Sequence, residues 1–254
     1  MQELSKAKIS LIKSLSIKKY RQQHQLFIAE GAKIVEEILE SNFNLRYLIH
    51  NENWQANSTK TSFEEIIATN NELKKITNLK TPQNVIAIVE IPNYETEVLS
   101  LKNKLSIAID NIQDPGNLGT IIRICDWFGI ENIICSKNSV DIYNPKVIQA
   151  TMGSFLRVKT HYKDLHQYIT SYKDITNRPC YGTFLEGENI YKMTNKNTGL
   201  LVFGNEGQGI SSNIEKLIDK KISIPAFNPE IDHSESLNIS IATAIVCSEF
   251  RRDK

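Results

Sequence analysis

Three short segments of the chain are rich in polar side chains, glycines or turn residues. Two of them directly follow an apolar run, and a polar loop separates the third from one. Glycine lets the backbone approach a ligand closely, and an arginine can bind a phosphate or a carboxylate through paired hydrogen bonds. Serine, asparagine and glutamate side chains can orient a substrate. These residue types favour a site for a polar or anionic ligand. The three segments are 110–123, 204–209 and 236–240.

Each segment taken alone also has a plainer interpretation. The first contains an Asp-Pro-Gly-Asn turn at 114–117 and then Arg123 on a predicted helix, where an arginine is most often a surface charge. The glycines around Glu206 fit a hairpin-like turn with a solvated carboxylate. Ser240 could cap the helix that follows it, but a cap explains one polar residue of the third segment and not all three.

An alternation of strands and helices positions these segments. From residue 105 onward, short apolar runs alternate with helical patterns, which predicts a mostly parallel sheet with helices on both faces. Each segment falls at the C-terminal end of a predicted strand, where α/β proteins bind ligands. The predicted strands are 105–110, 132–135, 158–160, 179–184, 199–203 and 221–224, and the predicted helices are 117–128, 145–152, 165–172, 212–218 and 239–250.

The first 91 residues form a separate α/β series. Helical patterns cover 1–24, 32–40 and 71–78, strands cover 26–29, 45–50 and 85–91, and 63–69 fits either a helix or a strand. Residues 92–104 are polar, carry no strong strand pattern and are interpreted as a linker. We therefore predict two domains, 1–91 and 105–254.

The composition excludes several classes of function. The net charge of the 254 residues is +1, so the chain as a whole is not basic, although residues 6–21 hold six Lys or Arg and no acidic residue. That segment could contact phosphates or could be a solvated helix face. The four cysteines and five histidines lack metal-ligand spacing, and no metal is expected. No apolar run suits a membrane span and no signal-peptide pattern is present, so a cytoplasmic protein is expected.

Taken together and in this order, the motifs resemble those of the SpoU/TrmH RNA ribose methyltransferases of the SPOUT superfamily. The resemblance covers roughly residues 105–252, including a stretch at 139–154 that is similar to the one following the first motif in this family. Segments 27–31 and 81–83 resemble the small substrate-binding domain of many members, which is related to an RNA-binding ribosomal-protein fold. The matching motif residues are Asn117 and Arg123, Gly204-x-Glu206-x-x-Gly209, and Ser236-Leu237-Asn238.

The resemblance implies a fold, a reaction and a set of site residues. The second domain would be an α/β fold with a C-terminal trefoil knot that holds S-adenosylmethionine (AdoMet), and two copies of the chain would form a homodimer with each active site at the subunit interface. The reaction would methylate a ribose 2′-hydroxyl in RNA. The implied catalytic residues are Asn117, Arg123, Glu206, Ser236 and Asn238; those for the cofactor are Thr183, Gly204, Ile224, Leu237 and Asn238; and those for RNA are Lys19, Arg21, Glu30 and Arg123.

Alternative functions differ in target or in activity. Ribosomal RNA is favoured because transfer-RNA members often lack such an N-terminal domain, but a tRNA 2′-O-methyltransferase and a base methyltransferase on the same fold stay open. A non-catalytic RNA-binding protein would have lost motif residues, and none is missing. A nucleotide-binding oxidoreductase is disfavoured because the glycine spacing is not G-x-G-x-x-G.

Overall fold

The computed structural model describes residues 4–56, 62–95, 97–194, 197–227 and 236–252. The chain divides into two compact units: unit 1 comprises residues 1–93 and 141–156, and unit 2 comprises 94–140 and 157–254. Segment 141–156, which the sequence interpretation assigned to the second domain, thus belongs to unit 1. The domain boundaries at 91 and 105 stay a prediction.

The helices and strands of the described residues follow the predicted alternation closely. In chain order they are α1 (Lys6–Ser14), α2 (Lys18–His24), β1 (Leu26–Glu30), α3 (Ala32–Glu40), β2 (Leu45–His50), β3 (Glu64–Ile67), α4 (Asn70–Ile76), β4 (Val85–Glu90), β5 (Leu105–Ile109), α5 (Pro115–Trp127), β6 (Asn132–Ser136), α6 (Pro145–Thr151), β7 (Lys159–Lys163), α7 (Leu165–Thr176), β8 (Cys180–Asn189), β9 (Gly199–Phe203), α8 (Ser212–Glu215), β10 (Lys220–Ser223) and α9 (Ile239–Arg251).

Unit 1 is built on a four-stranded sheet in the order β1-β4-β2-β3. The β1–β4 and β4–β2 pairs are antiparallel, and β2–β3 is parallel. The central strand β4 (Val-Ile-Ala-Ile-Val-Glu) is buried along nearly its whole length, as its apolar run requires. Helix α4 begins with a capping box between Thr69 and Glu72. This local sequence feature explains why a helix forms where 71–78 was predicted to be helical.

Segment 141–156 completes the packing of unit 1. The ring of Phe27 lies 4.7 Å from that of Tyr143 and 5.8 Å from that of Phe155, measured between centroids. The guanidinium of Arg21 donates to Asp141 Oδ2 from Nε at 2.9 Å and from Nη2 at 2.6 Å, and its Nη1 donates to the Leu15 carbonyl at 2.8 Å. Arg21 is 2% exposed, so this ion pair is a buried structural contact.

Unit 2 contains a six-stranded sheet in the order β10-β8-β9-β5-β6-β7, and every neighbouring pair is parallel. This confirms the predicted α/β class with a parallel sheet. The chain moves outward from β5 through β6 and β7 and then returns on the other side, so the direction of winding reverses between β5 and β9. Ligands of open α/β sheets bind beyond the carboxyl ends of strands at such a point. The knot stays a prediction.

Two parts of unit 2 differ from the sequence prediction. The stretch interpreted as a linker contains a 3-10 turn, Val98–Leu101, and Leu101 is 1% exposed in an apolar cluster with Tyr172 of α7. Four residues with two leucines are too short to show a period, so this turn could not be predicted from the local pattern. Strand β8 also runs on to Asn189, because its outer half pairs with β10 after a register shift.

Candidate active site

The loop after β9 is fastened to the end of β5 by a buried carboxylate. Asp110 is 8% exposed, and its Oδ2 accepts hydrogen bonds from the Ser211 backbone N–H at 2.9 Å and the Ser211 hydroxyl at 2.5 Å. Asn205 donates from Nδ2 to the Asn111 carbonyl at 2.9 Å, which makes a second tie between the two loops. The first and second motifs are therefore held together at the carboxyl ends of β5 and β9, between which the direction of winding reverses.

The loop 204–209 folds back on itself. Asn205 and Gly209 exchange backbone hydrogen bonds of 2.9 Å, and Asn205 Oδ1 accepts from the N–H groups of Gly207 at 2.9 Å and Gln208 at 3.1 Å. A Cβ atom on Gly204 would lie 2.1 Å from the carbonyl carbon of Gly209, so this position needs glycine for the close approach of two backbone segments. The loop presents Glu206 on its exposed side.

The helix α5 carries Asn117 to the same place. Asp114 caps the helix by accepting from the Asn117 backbone N–H at 2.7 Å, and Pro115 occupies the first turn, where its missing N–H costs nothing. The turn sequence that precedes Arg123 is thus the start of a helix. Because Asn117 lies in the first turn, its side chain reaches the loops at the strand ends.

Three motif residues form a continuous chain of hydrogen bonds. Asn238 Nδ2 donates to Asn117 Oδ1 at 3.0 Å, and Asn117 Nδ2 donates to Glu206 Oε1 at 2.9 Å. Each of the three comes from a different motif, so the structure brings all three segments together. The amide of Asn117 accepts on one side and donates on the other, which sets its orientation and that of the Glu206 carboxylate.

The start of α9 differs from the sequence interpretation. Asn238, not Ser240, is the capping residue: its Oδ1 accepts from the Ser240 N–H at 2.9 Å and the Ser240 hydroxyl at 2.5 Å. The prediction that Ser240 caps the helix is therefore wrong, because the helix begins at Ile239, two residues earlier than a Ser240 cap requires. Asn238 thus caps α9 and contacts Asn117 with the same side chain. Ser236 is exposed, and no contact with another described residue joins it to this chain of bonds.

Arg123 lies apart from these three residues. It follows Asn117 by six positions on α5, which corresponds to about 9 Å along the axis and a rotation of about 240°. Its side chain is exposed and makes no hydrogen bond or ion pair with any described residue. With no partner among the described residues, the Arg123 guanidinium is available to a ligand or to another chain.

The residues expected to bind the cofactor lie on neighbouring strands. Gly204 follows β9, Ile224 follows β10, and Thr183 lies in β8, which stands between those two strands in the sheet. The Thr183 hydroxyl donates to the Val202 carbonyl at 3.2 Å. Leu237 immediately precedes the α9 cap and is 48% exposed. These four positions and Asn238 all belong to unit 2.

The residues expected to bind RNA in unit 1 have different surroundings. Lys19 is exposed on α2. Arg21 is buried against Asp141, and Glu30 is 4% exposed and accepts from the Asn78 N–H at 2.8 Å and from the Thr77 hydroxyl. We therefore correct this part of the assignment: Arg21 and Glu30 are structural residues whose polar atoms are occupied within the protein. Their charges are visible in the sequence, but their burial is not.

The titratable groups of unit 2 include no activated thiol among the described residues. Burial raises the pKa of Cys135, Cys180 and Cys247 to about 12, and that of Cys125 well above its usual value. Within the described ranges, no group of three or more His, Cys, Asp or Glu could hold a metal ion. No helix in the same ranges is long and apolar enough to span a membrane.

Sequence reasoning missed the residues that hold the loops in place. Asp110 and Asn205 lie inside the recognised motifs and Ser211 lies two residues after the second. Their hydrogen bonds join parts of the chain that are about a hundred residues apart, as in the Ser211–Asp110 contact. One signal was available, since a polar residue directly after a buried strand must find a partner.

Comparison with known proteins shows which family has these motifs. Residues 104–248 match the SpoU rRNA Methylase family, and residues 6–87 match the MRM3-like substrate binding domain. The chain belongs to the SpoU rRNA methylase family. The resemblance inferred from the motifs is thereby confirmed, and the enzyme class, an RNA 2′-O-methyltransferase, is confirmed with it.

Individual SpoU relatives are similar over almost the whole chain. The 23S rRNA (guanosine(2553)-2′-O)-methyltransferase RlmP of Bacillus subtilis is 28% identical over 99% of this chain and 100% of its own length. A solved structure from Porphyromonas gingivalis, assigned to the TrmH family of RNA methyltransferases, is 35% identical with a TM-score of 0.90 and covers 99% of both chains. The methyltransferase AviRb of Streptomyces viridochromogenes, solved with AdoMet, shares the fold with a TM-score of 0.86 at 21% identity, over 98% of both chains.

Proposed function

We propose that this SpoU protein transfers the methyl group of AdoMet to a ribose 2′-hydroxyl of ribosomal RNA. The observation that carries the proposal is the hydrogen-bonded chain Asn238–Asn117–Glu206, which assembles all three family motifs at the carboxyl ends of β5 and β9. The curated name of the Bacillus subtilis relative, which aligns end to end, supports ribosomal RNA as the substrate class.

The residues on the three neighbouring strands fit the cofactor. Gly204, Ile224 and Leu237 offer backbone groups for hydrogen bonds with the adenosine part, and the exposed Leu237 side chain offers apolar surface. Thr183 and Asn238 add polar side chains beside them. When bound, AdoMet supplies a reactive methyl group on a positively charged sulfur.

The catalytic side chains act by positioning and by stabilising charge. Arg123 binds the phosphate next to the target ribose and stabilises negative charge on the 2′-oxygen, because a guanidinium stays protonated at neutral pH. The proton of the hydroxyl leaves to water or to another group. Glu206 orients either Arg123 or its own loop, 204–209. Ser236 and Asn238 position the ribose. Lys19 contributes a phosphate contact in unit 1.

A second copy of the chain supplies Arg123 to this site. Two observations support a homodimer: Arg123 is turned away from Asn117 around α5, and α5 packs against α9 with exposed apolar side chains nearby. Those side chains are Trp127 (85% exposed), Leu237 (48%) and Ile241 (53%). Exposed apolar groups of this size along one pair of packed helices are typical of a surface covered by a partner. An isologous contact would place Arg123 of each copy by the other copy's Asn117.

Subunit complementation tests the shared site. Arg123→Ala and Asn117→Ala subunits, each expected to be inactive alone, are co-expressed with different tags and the mixed dimer is isolated. If Arg123 acts across the interface, one site of the mixed dimer has both wild-type residues, and about half of wild-type activity returns per mixed dimer. If Arg123 acts within its own chain, each site keeps one defect and no activity returns. Light scattering of the wild-type protein gives the oligomeric state independently.

The reaction itself is tested by methyl transfer from labelled AdoMet. The full chain is incubated with ribosomal RNA, ribosomal subunits or tRNA, each from a strain that lacks the gene, and the RNA is digested to nucleosides. We expect label in a single 2′-O-methylnucleoside of ribosomal RNA. Label in tRNA alone would support the tRNA alternative, and label on a base would contradict ribose methylation. Fractionation of the same cells tests the expected cytoplasmic location.

Calorimetric titration with AdoMet separates the catalytic from the non-catalytic alternative. Wild-type protein should bind AdoMet, and a Leu237→Pro, Asn238→Ala double variant should not, since it removes a backbone N–H and the α9 cap. A wild-type protein that binds RNA but not AdoMet would support the non-catalytic alternative.

A further inference from the structure

A cavity of about 480 Å³ lies in unit 1, at the N-terminal ends of β2 and β3. The residues that line it include Arg46 and two aromatic residues, Tyr47 and Phe63. Polar groups complete the wall, namely Asn44, Glu64 and Glu90. The volume falls within the range of about 300–1,000 Å³ that is usual for small-ligand sites. None of the site residues assigned above belongs to this cavity.

A β-bulge turns Arg46 towards this cavity. Leu45 pairs with Val89 of β4 and Tyr47 pairs with the adjacent Ile88, so Arg46 is an extra residue without a partner on β4. Bulges of this kind redirect a side chain and recur beside functional sites. The result is that three consecutive residues of β2 line one cavity, although strand geometry would place alternate residues on opposite faces.

Among the described charged groups around the cavity, both carboxylates have a partner and the Arg46 guanidinium has none. Glu64 forms an ion pair with Lys8, whose Nζ also lies 5.3 Å from the centre of the Tyr47 ring. Glu90 accepts from Asn44 Nδ2 at 3.2 Å. Arg46 is exposed and makes no hydrogen bond or ion pair with any described residue. A guanidinium without a partner among the described residues, on a cavity that an aromatic residue also lines, is suited to a phosphate with an adjoining planar base.

We infer that this cavity binds one unpaired nucleotide of the RNA substrate. The aromatic ring of Phe63 stacks on the base, Arg46 binds the neighbouring phosphate, and the carboxylates accept from amino groups on the base edge. RNA is favoured over a peptide because five of the six lining residues named above fall inside 6–87, which matches a substrate binding domain. The inference rests on the proposed function for the kind of substrate, but not on the chemistry of methyl transfer.

Binding of short RNAs to the full-length protein tests the cavity. The probes are fluorescein-labelled single-stranded RNA decamers of mixed sequence and a fully paired RNA duplex, measured by fluorescence anisotropy. Phe63→Ala should weaken binding of the single strand by about fivefold or more, the effect of removing one base–aromatic stack. Arg46→Ala should weaken it and reduce its salt dependence. Neither change should alter binding of the duplex.

Matched variants separate a lost contact from a disturbed fold. Phe63→Trp keeps a stacking ring, Arg46→Lys keeps the charge, and both should stay within about twofold of wild type. Tyr191→Ala removes a ring that is 48% exposed in unit 2 and should change nothing. Thermal melting of each variant checks that it folds. If Phe63→Ala does not fold, Arg46→Glu, at an exposed position, tests the site by charge reversal.

Three results would overturn the inference. They are failure of the wild-type protein to bind single-stranded RNA, equal affinity of wild type, Phe63→Ala and Arg46→Ala, and photocrosslinks from 4-thiouridine-containing RNA that map away from residues 44–64. The proposed methyltransferase function is tested by a separate measurement, AdoMet calorimetry on the same proteins. Binding of RNA through the cavity without binding of AdoMet would support this inference and contradict the proposed function.

Discussion

Replacing Arg123 with alanine is expected to lower methyl transfer at least about a hundredfold, the usual effect of removing one donor that stabilises charge in a transition state. The same change should leave AdoMet binding close to that of wild type, since Arg123 lies outside the set of residues that hold the cofactor. Stability should also be retained, because the side chain is exposed and makes no hydrogen bond or ion pair with any described residue. The measurements are single-turnover methyl transfer, AdoMet calorimetry and thermal melting.

An Arg123→Lys variant serves as the control for charge. Lysine keeps the positive charge but cannot form paired hydrogen bonds with a phosphate, so activity between that of wild type and alanine is expected. Arg251 lies at the end of α9, where its Nη2 donates a long 3.5 Å hydrogen bond to the Gly129 carbonyl, and its replacement should leave the rate unchanged. Full activity of Arg123→Ala would refute the proposed role, and combined loss of activity and AdoMet binding would indicate a structural role instead.

Replacing Arg21 with methionine is expected to destabilise unit 1 by about 3–5 kcal/mol, the usual cost of breaking a buried ion pair. Arg21 is 2% exposed and Asp141 14%, so the variant leaves a carboxylate with little access to water. The Leu15 carbonyl loses its donor as well. In thermal melting, a loss of this size lowers Tm by about 10 °C.

Two further variants isolate the cause of this loss. The double variant Arg21→Met, Asp141→Asn removes the uncompensated charge. Its Asn side chain can still accept a hydrogen bond from the Tyr143 N–H, as Asp141 does at 3.1 Å. Most of the stability should therefore return. Lys104→Met breaks an exposed ion pair with Glu131, whose side chains are 46% and 58% exposed, and should cost less than about 1 kcal/mol. Equal effects of Arg21→Met and Lys104→Met would contradict the buried-pair interpretation.

The local pattern of the sequence was sufficient for most of the strands and helices and for the parallel sheet of unit 2. Apolar runs such as Leu105–Ile109 and Gly199–Phe203 are continuous because their strands are buried on both faces, and turn or capping residues mark where helices begin. The motif residues could be placed at strand ends for the same reason. The family followed from the order of these motifs, which requires no knowledge of distances.

The tertiary structure alone decided which charged groups are free. Arg21 and Lys19 are two residues apart in one basic segment, yet Arg21 is buried against Asp141, which is 120 positions away in the chain, and Lys19 is exposed. Sequence patterns report on neighbours within a few turns, whereas burial depends on which distant segment packs on top. The joining of Asn117 to Glu206 and Asn238, the packing of 141–156 in unit 1 and the bulge at Arg46 were decided in the same way, by contacts between segments far apart in the chain.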